Sequence, residues 1–152
     1  MSDQTNQEVG KGRLPRPEDV LPHRSPFLFL DEVVELEPST SAKGRWLLRE
    51  DQPFFSGHFP GRPTLPGVLM VEALAQLGAV AVLSDPAFAG RLPLFGGIDK
   101  ARFRSQVSPG DTLDLEVTLD QLGNNAGRGS GVASVGGKIA CQASLLFVIV
   151  SR

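Results

Sequence analysis

The sequence predicts an α+β fold, an antiparallel sheet of about six strands curved around one long apolar helix. Three observations carry that expectation. Residues 66–83 form an apolar run rich in helix-forming Leu, Met, Glu, Ala and Gln; residues 112–120 alternate apolar and polar without error; and shorter β-branched and apolar runs on either side are separated by Pro, Gly and Asn.

Taken in chain order, residues 1–17 are polar, contain Gly and Pro and show no period, which predicts a flexible N-terminal tail followed by a single domain over residues 18–152. A first strand is expected over residues 27–37, ending at Pro38, and a second over residues 43–50, around Trp46, Leu47 and Leu48. Residues 51–66 hold four prolines and two glycines, so no regular element of any length forms there. The helix over residues 66–83 opens on Pro66-Gly67 and is about 27 Å long at the ordinary helical rise. Apolar residues occupy nearly all its faces, more than a single sheet is expected to cover, which points to burial against a second copy of the chain as well. Four further strands follow, over residues 94–107, 112–120, 129–136 and 138–150. Pro109-Gly110, the Gly- and Asn-rich residues 123–127 and the hairpin pair Gly136-Gly137 divide them.

With 152 residues, 41% hydrophobic and 21% charged, the chain has the size and composition of one globular domain with a real core. Fifteen basic against seventeen acidic residues leave a net charge of −2, which speaks against a nucleic-acid partner. The first twenty-five residues contain no apolar run that could serve as a signal-peptide core. Glu72 and Gln76 interrupt the helix that otherwise approaches membrane-spanning length, so no membrane association is expected. Cys141 is the single cysteine and lies in an apolar alternating stretch; a buried thiol in a cytoplasmic protein is the expectation.

The chemistry concentrates in residues 55–76, FSGHFPGRPTLPGVLMVEALAQ, where one His in a Pro/Gly-fixed loop precedes one Glu in an apolar helix. A neutral imidazole at His58 can accept a proton near neutral pH, and a carboxyl at Glu72 buried among Leu and Ala tends to keep its proton and donate it. Gly67 offers a main-chain N–H at the positive end of the helix, where a developing oxyanion can bind. Gln76, one turn beyond Glu72, can hydrogen-bond and orient its carboxyl. Such a set suits proton abstraction next to a carbonyl. Taken singly, each has a bland reading: a loop His is most often solvated or structurally bonded, and a helical Gln can simply face a sheet edge. Glu72 is harder to set aside, because burying it charged and unpaired costs several kcal/mol.

The run PFFSGHFPGRPTLPGVLMVEALAQ, together with LPHRSPFLFLDEV, FGGIDKARFRSQVSPGD and ASVGGKIACQASLLF, closely resembles the 3-hydroxyacyl-ACP dehydratases of type II fatty acid synthesis. The resemblance spans nearly everything after residue 20 and implies the hot-dog fold. It further implies dehydration of (3R)-3-hydroxyacyl chains, held as thioesters on acyl carrier protein, to trans-2-enoyl products in fatty acid or related lipid and polyketide synthesis, with no cofactor and no metal. On this likeness His58 takes the α-proton, Glu72 helps the β-hydroxyl leave, and the Gly67 N–H polarises the thioester carbonyl. Two domains pair side by side as a homodimer, alone or within a trimer of dimers, with the loop His of one facing the helix Glu of the other. Related dehydratase/isomerases carry Asp where this chain has Glu72, which favours simple dehydration. Some members gate the acyl tunnel with a Tyr near residues 94–95; this chain has no Tyr, and Phe95 is the nearest aromatic.

His23 reads as a structural residue, since no ligand spacing joins it to His58 and Glu72 as a metal triad. Lys100, Arg102 and Arg104 alternate on one strand face, either a solvated stripe or, with Arg62, a basic patch for the acidic carrier protein. Phe54, Phe55 and Phe59 are tunnel walls or packing anchors. Two other functions remain open on the same fold: a non-catalytic subunit that binds acyl carriers, against which the presence of both His58 and Glu72 speaks, and an acyl thioesterase.

Overall fold

The computed structural model describes residues 13–152, so the first twelve positions of the expected tail at residues 1–17 lie outside the described residues. Structure begins at the one-turn helix α1 (Pro17–Val20), where Pro17 opens the turn and Asp19 accepts from the Arg16 main-chain N–H at 3.2 Å. Then come β1 (Glu32–Glu37), β2 (Ser41–Leu47), a 3₁₀ turn (Phe55–Gly57), α2 (Gly67–Leu83), β3 (Leu92–Phe103), β4 (Thr112–Leu122), β5 (Ala126–Val135) and β6 (Lys138–Val150). The six strands form one antiparallel sheet in the order β1-β2-β4-β5-β6-β3, and α2 touches every one of them.

Registry explains why the helix fits. In β4, Leu113, Leu115 and Val117 turn inward and are buried, as the alternation predicts. On the facing strand β5 the inward positions are Gly127, Gly129, Gly131 and Ala133, so the helix approaches closely: a Cβ on Gly131 would lie 3.1 Å from the Leu74 side chain. Trp46 of β2 is almost wholly buried and stacks on Phe29 at 4.7 Å between ring centroids.

Two expectations are corrected. The strand foreseen over residues 27–37 forms only as Glu32–Glu37, because the Phe29 N–H donates to Gln76 Oε1 (2.8 Å) and the Phe27 carbonyl accepts from Gln76 Nε2 (3.1 Å). Side-chain bonds to α2 take the groups a sheet ladder would have used. The helix, moreover, is covered within one chain: twelve of its seventeen residues are buried. Val68 at its first turn stays 69% exposed, and a larger uncovered apolar surface lies on β3, where Leu94, Phe95, Ile98 and Phe103 are all about half exposed. No helix among the described residues is long and apolar enough to cross a membrane.

Gly44 and Gly78 make opposite predictions. A Cβ on Gly44 would sit 2.7 Å from the main-chain oxygen of Glu32, whereas one on Gly78 would meet Val117 at an ordinary 3.5 Å. Gly44→Ala should therefore cost about 1–3 kcal/mol in chemical denaturation. Gly78→Ala, which restores helix propensity, should leave stability unchanged or raise it by up to about 1 kcal/mol.

Candidate active site

Glu72 sits one turn into α2 with its side chain 18% exposed, and burial pushes its carboxyl above the usual carboxylate range, partly opposed by a hydrogen bond from Gln76. Gln76 is itself 1% exposed. Since the Phe29 N–H must donate, Gln76 Oε1 is fixed as acceptor; Nε2 then points its two hydrogens to the Phe27 carbonyl and to Glu72 Oε1 at 3.2 Å. Oε1 of Glu72 is thus the accepting oxygen, and the proton of the neutral acid belongs on Oε2. The hydrogen bond that the i+4 spacing of Gln76 and Glu72 allows is present in this geometry.

His58 belongs to a different element. Its loop is anchored by Phe55, which is buried, and by Phe54, which packs edge-on against Phe29 and Trp46, so two of the three loop phenylalanines are anchors. Phe59 is 53% exposed and stacks on the His58 ring at 4.1 Å. The Thr64 carbonyl lies 2.8 Å from His58 Nδ1, and the Thr64 N–H donates back to the His58 carbonyl at 2.7 Å. A carbonyl only accepts, so Nδ1 carries the proton and Nε2 is left with a free lone pair, the form a general base needs.

A cavity of about 60 Å³ opens between α2 and the sheet. Glu72 and Gln76 stand on its wall, followed inward by apolar residues such as Gly78, Val82, Val117, Leu145 and Phe147, with Leu94 and Phe95 of β3 on the other side. His58 is not among its lining residues, but His23 is. The single chain therefore joins Glu72 with Gln76 and His23, and holds His58 apart. By sequence His23 reads as structural because nothing periodic links position 23 to position 72; the fold of residues 21–31 over α2 brings the two together.

Gly67 opens α2, and its N–H has no hydrogen-bond partner among the described residues. The Phe103 ring fills the space beside it, 2.7 Å from where a Cβ would stand, so the glycine is also required by packing. Arg62, Lys100, Arg102 and Arg104 are all exposed. Lys100 and Arg102 lie on β3 opposite Ser144 and Gln142, while Arg104 falls just past the strand end and donates to Gln142 Oε1 at 2.7 Å. Arg62 donates to Gln106 at 3.3 Å, tying the His58 loop to the segment after β3.

The FabA-like domain family matches residues 21–144. A 3-hydroxyacyl-[acyl-carrier-protein] dehydratase FabZ of Chloroflexus aggregans is 54% identical over 130 residues, covering 86% of this chain and 90% of that protein. The chain belongs to the FabZ dehydratase family. The FabZ of Roseiflexus sp. is 52% identical over 88% of this chain and 93% of its own length. Among solved structures, the dehydratase heterocomplex ApeI:P of Xenorhabdus doucetiae superimposes with a TM-score of 0.81 at 21% identity, covering 92% of this chain and 94% of the other, a likeness of fold. A hypothetical thioesterase of Streptococcus pneumoniae solved with coenzyme A gives 0.62 at 11% identity, covering 80% and 86%. The hot-dog architecture expected from the sequence is the one this FabZ-family chain has.

The buried acid leaves a signature in stability. Because the folded state raises the pKa of Glu72, its favourable contribution is complete below the usual value of 4.5 and is lost as pH rises through the folded value. Glu72→Gln should accordingly melt higher than the parent chain at pH 8, with the difference vanishing near pH 4, in thermal scans across that range.

Proposed function

We propose that this chain dehydrates (3R)-3-hydroxyacyl chains, presented as thioesters on acyl carrier protein, to trans-2-enoyl thioesters, and that each site combines His58 of one subunit with Glu72 of another. The observation that carries the reading is the hydrogen-bonded, largely covered carboxyl of Glu72 at an apolar cavity in a chain half identical to FabZ dehydratases. The acyl chain lies along the apolar wall and its β-hydroxyl meets Glu72 Oε2. His58 Nε2 takes the α-proton; the C–H electron pair becomes the new C=C bond; and the β-C–O bond breaks as Glu72 Oε2 hands its proton to the departing hydroxyl, releasing water. The Gly67 N–H, at the positive end of α2, holds the thioester oxygen as negative charge builds there. The protein's own part is two proton transfers and one hydrogen bond to the thioester oxygen, and on this reading the reaction asks for no cofactor or metal.

Subunit pairing follows from β3. It is an edge strand of twelve residues with large apolar side chains left exposed, which a second copy would cover. The separation of His58 from the Glu72 cavity within one chain supports a shared site. A homodimer satisfies both, whether alone or within a trimer of dimers. The setting is the cytoplasm: the lone Cys141 is buried, and burial pushes its thiol up to about 11, so it is inert and needs no oxidising compartment.

Incubation with a 3-hydroxyacyl-ACP should give enoyl absorbance; free acid would mean a thioesterase, and no product a non-catalytic carrier-binding subunit. Glu72→Gln and His58→Ala should each cut turnover by at least about a hundredfold while remaining folded. Refolding equal amounts of the two together makes half of the dimers mixed, each with one intact site of two, so activity should return to about one quarter of the parent value. No recovery from a demonstrably mixed population would mean that each site is built within one chain.

The exposed arginines supply the docking surface for the acidic carrier protein, with Lys100 and Arg62 beside them. Reversing Arg102 and Arg104 to Glu should raise KM for acyl-ACP and leave turnover of a short thioester mimic unchanged; equal loss on both substrates would place them in the fold instead.

A further inference from the structure

His23 is the second titratable group in the cavity, and neither the family likeness nor the mechanism above gives it a task. Its Nε2 lies 3.9 Å from Glu72 Oε1, and its Nδ1 is buried with no hydrogen-bond partner. These two facts fix the ring. A buried N–H without an acceptor is costlier than a bare lone pair, so the proton sits on Nε2 and faces Glu72. Burial, and secondarily the neighbouring Arg24 cation, hold the imidazole below its ordinary value of 6.5, so at neutral pH it is uncharged and the contact is not an ion pair. At 3.9 Å it is not yet a hydrogen bond either; closing by about 1 Å would make it one.

We propose that His23 is a positioning residue for the acid: its Nε2–H becomes, alongside Gln76 Nε2, the second donor to the Glu72 carboxylate left when the proton has passed to the departing hydroxyl. In the acid form that the mechanism uses, with the proton on Oε2, Oε1 needs only the Gln76 bond. As the O–H bond of Oε2 breaks, negative charge spreads to Oε1, and the His23 N–H 3.9 Å away is drawn onto it. The interaction is worth more in the transition state than in the ground state, which is what raises turnover rather than affinity. Among the described residues lining the cavity, His23 and Glu72 are the titratable groups; the strands facing them contribute Pro93, Leu94, Phe95, Val117, Leu145 and Phe147, none of which carries charge.

This rests on the dehydratase reading, and the test separates the two. Wild type, His23→Leu, His23→Gln and Glu72→Gln are compared by steady-state kinetics on acyl-ACP and by ¹³C NMR titration of the Glu72 carboxyl in the free protein, with Glu72→Gln identifying the signal. Leucine fills the ring's space without a donor, while glutamine restores an Nε2–H at similar reach. His23→Leu should lower kcat about tenfold or more with KM little changed, and should move the Glu72 titration to higher pH, because a donor to the carboxylate has been removed. His23→Gln should recover most of both. Equal behaviour of the leucine and glutamine variants, or an unmoved Glu72 titration, would overturn the role of His23. No enoyl product from the parent protein would overturn the dehydratase reading itself, whatever His23 does, and full activity of Glu72→Gln would overturn the acid role of Glu72.

Discussion

One neutral side chain organises the site: the amide of Gln76. It is buried at the middle of α2, accepts from the Phe29 N–H, donates to the Phe27 carbonyl, and donates to Glu72. Each of those bonds would be an unmet polar group if the others were absent, so the amide, the segment over it and the acid are fixed together or not at all. The same clamp draws residues 27–29 off the sheet and across the helix. There Phe29 stacks on Trp46 and meets Phe54 at the root of the His58 loop. The acid is therefore oriented through the same aromatic cluster that anchors the loop carrying the base.

How much of this was legible in the sequence depended on whether the signal was periodic. The alternation of Leu113, Leu115 and Val117 gave β4 directly, and the i+4 spacing of Glu72 and Gln76 gave their hydrogen bond, because both follow from the repeat of a single element. What failed were inferences about what lies opposite. Residues 27–29 have strand composition, yet the distant Gln76 takes the Phe29 N–H and the Phe27 carbonyl. The helix was expected to outsize its sheet, but the run of inward glycines in β5 lets the sheet close tightly on it, so the uncovered apolar surface moved to β3. His23 entered the cavity for the same kind of reason, through a contact across the fold that no local pattern encodes.

Taking an ionisable group out of water is costly in its charged form, and at Glu72 that cost raises the carboxyl above the usual carboxylate range. On the helix, the residues that line the cavity with Glu72 are otherwise uncharged, among them Ala75, Ala79 and Val82. They supply low-polarity surroundings that disfavour its charged form. A better solvated glutamate would be ionised near neutral pH and could not donate. The packing that stabilises the domain and the chemistry assigned to Glu72 thus draw on the same side chains.

Acid and base are set by independent devices. Glu72 has its carboxyl raised by burial and hydrogen-bonded by Gln76; His58 has its proton placed on Nδ1 by the Thr64 carbonyl, leaving Nε2 free. Neither arrangement uses the other, and within one chain the two groups do not share a cavity. A site assembled from two subunits needs this independence. Each half must already hold its correct protonation state before the partner arrives, since a base tuned by direct contact with its own chain's acid would be mis-set in the free monomer and left unpaired in the pair. In the proposed two-subunit site the loop and the helix would each carry a pre-set half, and apposition of two β3 edges would bring them together.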